Sequence, residues 1–201
     1  MIKARHLAFY RWFYGVYSRI AISRAFNQVN VFIPEIDADK PLLVIANHHS
    51  WWDGFWVLNL NRRYWKKRFH VMMMLEQLRR HPTFRYVGAY SVQKGNRSVM
   101  ESLEYTSSIL GESKNMVLLY PQGIIQSQHV DYIKFQKGIN KIINNSNGIS
   151  VLMLVTLTDY FSHRRPGLWV YGELFNEEGD IELAYNDFYM HIKKQQRKWT
   201  G

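Results

Sequence analysis

Two histidines, two tryptophans and an aspartate fall within six residues in the stretch Asn47-His48-His49-Ser50-Trp51-Trp52-Asp53-Gly54-Phe55. Part of this has a purely structural explanation. Ser50 followed three residues later by Asp53 is the pattern of a helix N-cap with an acid in the first turn, a feature contributing about 1 kcal/mol. Trp51, Trp52, Phe55 and Trp56 then read as packing residues of that helix. His48 and His49 are left without a role. A neutral imidazole is the form a general base requires, and a carboxylate on its other nitrogen orients it. The chemistry these residues could do is therefore proton abstraction by His48 with Asp53 behind it. As a metal pair, His48 and His49 lack a third ligand at a telling spacing. Ser50 reads as a cap rather than a nucleophile, and His49 as a wall residue.

Such a pair needs elements that hold it. The run Pro41-Leu42-Leu43-Val44-Ile45-Ala46 directly before it is a short apolar strand, and five more follow at 70–74, 87–92, 116–120, 151–157 and 168–174. Helices are expected between them; one at 98–110 has Val99, Leu103, Ile109 and Leu110 near helical spacing and Gly111 as its stop. Strands alternating with helices predict a single α/β domain, with a largely parallel central sheet flanked by helices and an N-terminal helix before it. Sites in such folds lie at the carboxyl ends of the strands, and the histidine stretch stands there, at a strand-to-helix turn.

Three further stretches share the order of a known set of motifs. Asn47-His48-x-Ser50-x-x-Asp53 resembles the first motif, His-x-x-x-x-Asp, of the glycerolipid acyltransferases, the lysophospholipid and 1-acylglycerol-3-phosphate acyltransferases. Gly88-Ala89-Tyr90-Ser91-Val92-Gln93-Lys94 resembles the second, a glycine six residues before a phosphate-binding arginine, with Lys94 at the arginine position. Tyr120-Pro121-Gln122-Gly123 resembles the third, an aromatic-Pro-Glu-Gly turn, with Gln122 at the glutamate position. Phe135-Gln136-Lys137-Gly138 is similar to the Phe-Lys segment that comes after it, its lysine displaced by one. The likeness runs from about residue 40 to 160. It divides the chain into a basic aromatic helix at 1–30, suited to a membrane interface, and an acyltransferase domain at 31–201.

The resemblance implies an O-acyltransferase acting on a lipid acceptor. His48 takes the proton of an acceptor hydroxyl as that oxygen attacks an acyl thioester, and Asp53 steadies the imidazolium. The acceptor is expected against Lys94, Arg97, Tyr120, Pro121, Gln122, Gly123 and Lys137. The cosubstrate is acyl-CoA or an acylated acyl carrier protein, and no resident cofactor or metal is expected. With no cysteine and no Gly-x-Ser-x-Gly elbow, direct transfer is simpler than an acyl-enzyme. The departures bear on the acceptor. Where the family continues Gly-Thr-Arg-Ser, this chain has Gly123-Ile124-Ile125-Gln126-Ser127 and no arginine. Lys94 is a point charge without the guanidinium fork. An acceptor lacking a phosphomonoester is the expectation.

The net charge of +10 asks for a polyanionic partner. Residues 1–34 hold five Lys or Arg and no acid, among Phe9, Tyr10, Trp12, Phe13, Tyr14 and Tyr17. Arg11, Arg19 and Arg24 interrupt the N-terminal apolar pattern, so it reads neither as a secretory signal nor as a span of about 20 apolar residues. A peripheral place on the cytoplasmic face of an anionic membrane is expected. Arg62-Arg63-Tyr64-Trp65-Lys66-Lys67-Arg68-Phe69-His70, five cations among aromatics, is the best argument for nucleic acid, but such a run is more often a solvated helix end. The reading is thus an enzyme with no nucleic-acid partner. The alternative is a nonenzymatic basic protein binding anionic lipid or nucleic acid.

Overall fold

The computed structural model describes residues 1–199 apart from 94, 147, 177 and 178, so Lys94 lies outside the described residues. In chain order the elements are α1 (Ala8–Ala25), β1 (Val29–Phe32), β2 (Leu42–Ala46), α2 (Asp53–Leu60), β3 (Arg68–Met74), α3 (Leu75–Arg80), β4 (Ala89–Val92), α4 (Asn96–Ile109), β5 (Asn115–Leu119), α5 (Ile139–Asn144), β6 (Ser150–Asp159), β7 (Gly167–Leu174) and α6 (Ile181–Gln196). All six expected strands form. β1 is the addition: its four residues are half-exposed and carry no apolar run to announce them.

One seven-stranded sheet runs in the order β1-β7-β6-β2-β5-β3-β4. The five strands from β6 to β4 are mutually parallel. β7 returns antiparallel to β6, and β1 lies parallel to β7. Successive strand side chains point to opposite faces, and in β2 every residue is buried because both faces are covered. Leu43, Ile45, Val117, Leu119, Val151 and Met153 pack toward one layer, which α4, α5 and α6 complete. Leu42, Val44, Ala46, Met116, Leu118 and Leu152 pack toward the other, beneath α1 and α2.

This topology selects where a site can form. β2 leads through α2 to β3, beyond one side of β5, whereas β5 leads through α5 to β6, beyond the other side of β2. The two crossovers leave adjacent strands in opposite directions, on opposite faces. A crevice opens at the carboxyl ends of β2 and β5, the topological switch point of the sheet.

Two local findings differ from expectation. The first seven residues are extended rather than helical, paired along the 85–91 segment: Arg5 N–H donates to the Arg85 carbonyl at 2.7 Å and Ser91 N–H to the Ile2 carbonyl at 2.9 Å. The basic run at 62–70 is also not a simple solvated helix end. It passes through a wide helical turn, then Lys66 in the left-handed region at φ 55°, and into β3. Lys67 is buried, its ammonium donating to the carbonyls of Ala38, Lys40 and Ser113 at 2.9, 2.7 and 2.7 Å. Burial holds its pKa below the ordinary lysine value, against the pull of Asp37 and Asp39. Phe69 and His70 are core residues, so the run is a structural corner with Arg62, Arg63, Lys66 and Arg68 left outside.

Candidate active site

β2 ends at Ala46, but β6 runs on, leaving its backbone groups at Thr156 and Thr158 to be satisfied. Two amide side chains continue the ladder. Asn47 accepts from Thr156 N–H at 2.8 Å and donates to the Thr156 carbonyl at 2.9 Å. Gln128 does the same at Thr158, accepting at 3.0 Å and donating at 2.9 Å. Asn47 thus anchors the residue before His48 to the sheet.

Asp53 organises the turn from His48 to Trp52. It is 1% exposed, and one of its oxygens, Oδ2, accepts three hydrogen bonds: from His48 Nδ1 at 2.9 Å, His49 N–H at 2.8 Å and Ser50 N–H at 3.0 Å. Ser50 is not the helix N-cap expected from its spacing to Asp53: the cap position is Trp52, without a side-chain bond, and the Asp53 bond to Ser50 lies in the turn before the helix. Ser50 Oγ accepts from Trp52 N–H at 3.1 Å, so the serine closes the turn and the helix proper begins at Asp53. The same carboxylate that orders the turn therefore orients His48.

With Nδ1 committed to Asp53, His48 Nε2 has no hydrogen-bond partner among the described residues. Tyr120 stacks on the imidazole, centroids 4.1 Å apart and planes 17° from parallel. Tyr120-Pro121-Gln122-Gly123 is a tight turn closed by Gly123 N–H on the Tyr120 carbonyl at 3.1 Å, with proline second and glycine fourth as such turns favour. Gly123 has φ 69°, and a Cβ there would press on Gln136 Cγ at 3.3 Å. Gln122 is 3% exposed and turned inward: its Oε1 accepts from His48 N–H at 2.9 Å and its Nε2 reaches the His48 carbonyl at 3.5 Å. Gln126 N–H donates to that carbonyl at 2.9 Å. His48 is held at backbone, Nδ1 and ring face by Asp53 and by the connection that carries Tyr120, Gln122 and Gln126.

His49 is placed differently. Its Nδ1 accepts from the Asn47 amide at 3.2 Å and its ring lies 5.5 Å from that of Trp56. Burial lowers its pKa, Asp53 raising it and His48 lowering it less strongly. The basic nitrogen is already bonded, so His49 serves as a wall. The hydroxyl of Tyr120 is buried too, and burial pushes its pKa well above the ordinary phenol value, with Asp53 adding to the effect.

The structure brings His48, Asp53, Tyr120, Pro121, Gln122 and Gly123 together. Gln122 departs from the expectation that it faces an acceptor, because both ends of its amide engage the His48 backbone. Arg97 and Lys137 are exposed, Arg97 near the start of α4 after β4, and Lys137 just before α5 on the same connection from β5 that carries Tyr120–Gly123. Ile124 and Ile125 are exposed at the crevice turn. Trp51 and Trp52, expected as packing residues, are 42% and 40% exposed; only Phe55 and Trp56 enter the core. Gln126, Gln128 and Thr156 are not legible as site residues in the sequence, since their partners lie 30 to 109 positions away or are backbone groups. Among the described residues, no group of three or more His, Cys, Asp or Glu is placed to hold a metal ion.

Comparison with known proteins gives two matches. The family described as Acyltransferase matches residues 28–156, more than half of the chain, from β1 into β6. The crystal structure of the 1-acyl-sn-glycerophosphate (LPA) acyltransferase PlsC from Thermotoga maritima superposes with a TM-score of 0.64 at 14% identity, covering 95% of this chain and 81% of that one. At that identity the likeness is one of fold. No curated protein matches the sequence. The matched segment contains the His48, Lys94, Gln122 and Lys137 stretches of the sequence, and the chain belongs to the Acyltransferase family.

Proposed function

We propose that the protein transfers a fatty acyl group from a thioester to a hydroxyl of a lipid acceptor, with His48 as general base. The observation that carries this is one imidazole at the switch-point crevice whose Nδ1 is held by a buried carboxylate at 2.9 Å while Nε2 is unbonded among the described residues. The acceptor O–H gives its proton to His48 Nε2 as the oxygen attacks the thioester carbonyl carbon. The tetrahedral intermediate collapses with cleavage of the C–S bond, and the leaving thiolate takes the proton back from the imidazolium. Asp53 favours the charged ring formed between these steps, and a base so held supplies about 100- to 10,000-fold. No resident cofactor enters; the donor is acyl-CoA or acylated acyl carrier protein.

The acceptor is a hydroxyl-bearing lipid without a terminal phosphomonoester. A phosphate dianion is bound best by a forked arginine, and the turn after Gly123 offers Ile124 and Ile125 instead. Access is from an anionic membrane surface. Among the described residues no helix is long and apolar enough to cross a bilayer, while α1 exposes Phe9, Trp12, Phe13, Val16, Tyr17 and Ile20 beside its arginines. Trp, Tyr and Arg are the side chains the interface accommodates.

The test is a screen of lysolipids and lipid alcohols with one isotope-labelled acyl donor, supplied as either thioester and read by mass spectrometry of the products. A labelled ester on an acceptor without a phosphomonoester is expected. Lysophosphatidate as the best acceptor would contradict the acceptor class, and no product from any pair, with nucleic-acid binding at physiological salt, would contradict the activity.

A further inference from the structure

A groove of about 320 Å³ lies between α1 and α2. Ile22, Ala25 and Phe26 form one wall, and Trp52, Phe55 and Trp56 the other. Arg24 is the one charged residue of the lining, and its stem can cover a chain while its head stays in water. The α2 wall is fastened to the histidine turn. Trp52 N–H is bonded to Ser50 Oγ at 3.1 Å, and the Trp56 ring lies 5.5 Å from that of His49. Tyr17, on the exposed aromatic face of α1, stacks beside Trp52 of the lining with centroids 6.3 Å apart. The groove therefore links the histidine turn to a surface of exposed aromatics and arginines.

We propose that this groove receives the hydrocarbon chain already carried by the lipid acceptor. The inference rests on the acyltransferase reading and adds the place and source of the chain. Three observations select this occupant. The walls are aliphatic and aromatic, suited to a hydrocarbon and not to a polypeptide with backbone groups to satisfy. Arg24 lines the groove, Tyr17 adjoins its Trp52, and α1 carries no acid, which is complementary to an anionic lipid surface. Trp52 of the lining stacks beside Tyr17 of the exposed aromatic face of α1, so a lipid lying against that face reaches the groove directly, whereas a thioester on coenzyme A or a carrier protein arrives from water. Taking a methylene as about the volume of one liquid water, roughly 30 Å³, the groove holds about ten carbons. Each buried methylene then raises kcat/KM roughly fourfold until the groove is filled.

Ala25 is exposed at the last position of α1, so Ala25→Phe fills the groove without opening the core; Ala21→Leu, on the same lining, is the second variant. Acyl transfer is measured over a series of acceptors of increasing chain length with one donor, then over a series of donors with one acceptor. Expected is a rise with acceptor length in the wild type, and a drop of at least tenfold in the long-to-short kcat/KM ratio in both variants. An unchanged acceptor profile overturns the proposal, and so does a change confined to the donor profile. Should the wild type transfer to no acceptor, the activity reading falls and the groove is judged by binding. A long-chain ether lysolipid is titrated against tryptophan fluorescence: at least tenfold weaker binding in Ala25→Phe supports the site, and equal binding overturns it.

Discussion

Replacing Asp53 separates its two duties. In Asp53→Ala, the His49 and Ser50 N–H groups lose the acceptor they share, inside a turn whose carboxylate is 1% exposed. Each donor left unpaired costs about 1–3 kcal/mol, so the variant is destabilised by about 2–6 kcal/mol, a fall in Tm of roughly 5–20 °C for a domain of this size. Asp53→Asn behaves differently. Its amide oxygen can take the place of Oδ2 and keep both backbone donors, at neutral rather than charge-assisted strength, for a loss of about 1–3 kcal/mol. The domain stays folded, but a neutral partner no longer steadies the imidazolium formed on His48, and kcat falls by about a thousandfold or more. Thermal melts by circular dichroism and initial rates of thiol release on the same samples give both quantities. An Asp53→Asn enzyme that melts within that range and keeps kcat within tenfold of wild type would refute the assigned role. An unshifted melt for Asp53→Ala would refute the description of the turn.

Gln122→Glu buries a carboxylate whose second oxygen faces the His48 carbonyl, where the amide now donates; a loss of about 1–3 kcal/mol and reduced rates with all acceptors alike are expected, and a selective gain with phosphomonoester acceptors would contradict this. His6 Nε2 meets His70 Nε2 at 3.1 Å, and burial together with His70, Arg68 and Arg11 lowers the His6 pKa from 6.5 to about 3. The folded state then binds fewer protons than the unfolded chain, so this contribution is fully present above pH 6.5 and is lost as pH falls toward about 3. Urea unfolding of wild type and His6→Gln at neutral pH and inside that window should show a flatter acid slope in the variant. Phe9→Ser with Trp12→Ser removes two exposed rings from α1; co-sedimentation with anionic vesicles should weaken at least about tenfold and wild-type binding should fall with salt.

The parallel sheet is legible in the sequence because its strands are buried on both faces and so read as continuous apolar runs, Leu42–Ala46 and the four residues 116–119 among them. β1 is not, since an edge strand with half-exposed residues leaves no such run. The His48 and Asp53 pairing is local, five residues apart, and spacing alone is enough to draw it. The third motif locates Gln122 but misjudges its direction. A glutamine can face a ligand or brace a backbone, and only the approach of the β5 turn to β2 decides between them. Asn47 and Gln128 extend the sheet through partners on β6 that local pattern cannot indicate. Trp51 and Trp52 depart from expectation for a related reason: the helix starts at Asp53 with Trp52, not Ser50, as its cap, so both tryptophans stand in the turn before it, with their rings partly exposed.

The central claim is that His48 Nε2 takes the acceptor proton, and its most direct measurement is single-turnover acyl transfer by purified His48→Ala, with product ester quantified by mass spectrometry. Asp53 keeps its two backbone donors in that variant, so the turn survives and the melt should match wild type closely. The account predicts ester formation slower by at least about a hundredfold, the lower end for loss of a general base. Transfer at near wild-type rate by a normally folded His48→Ala would contradict it.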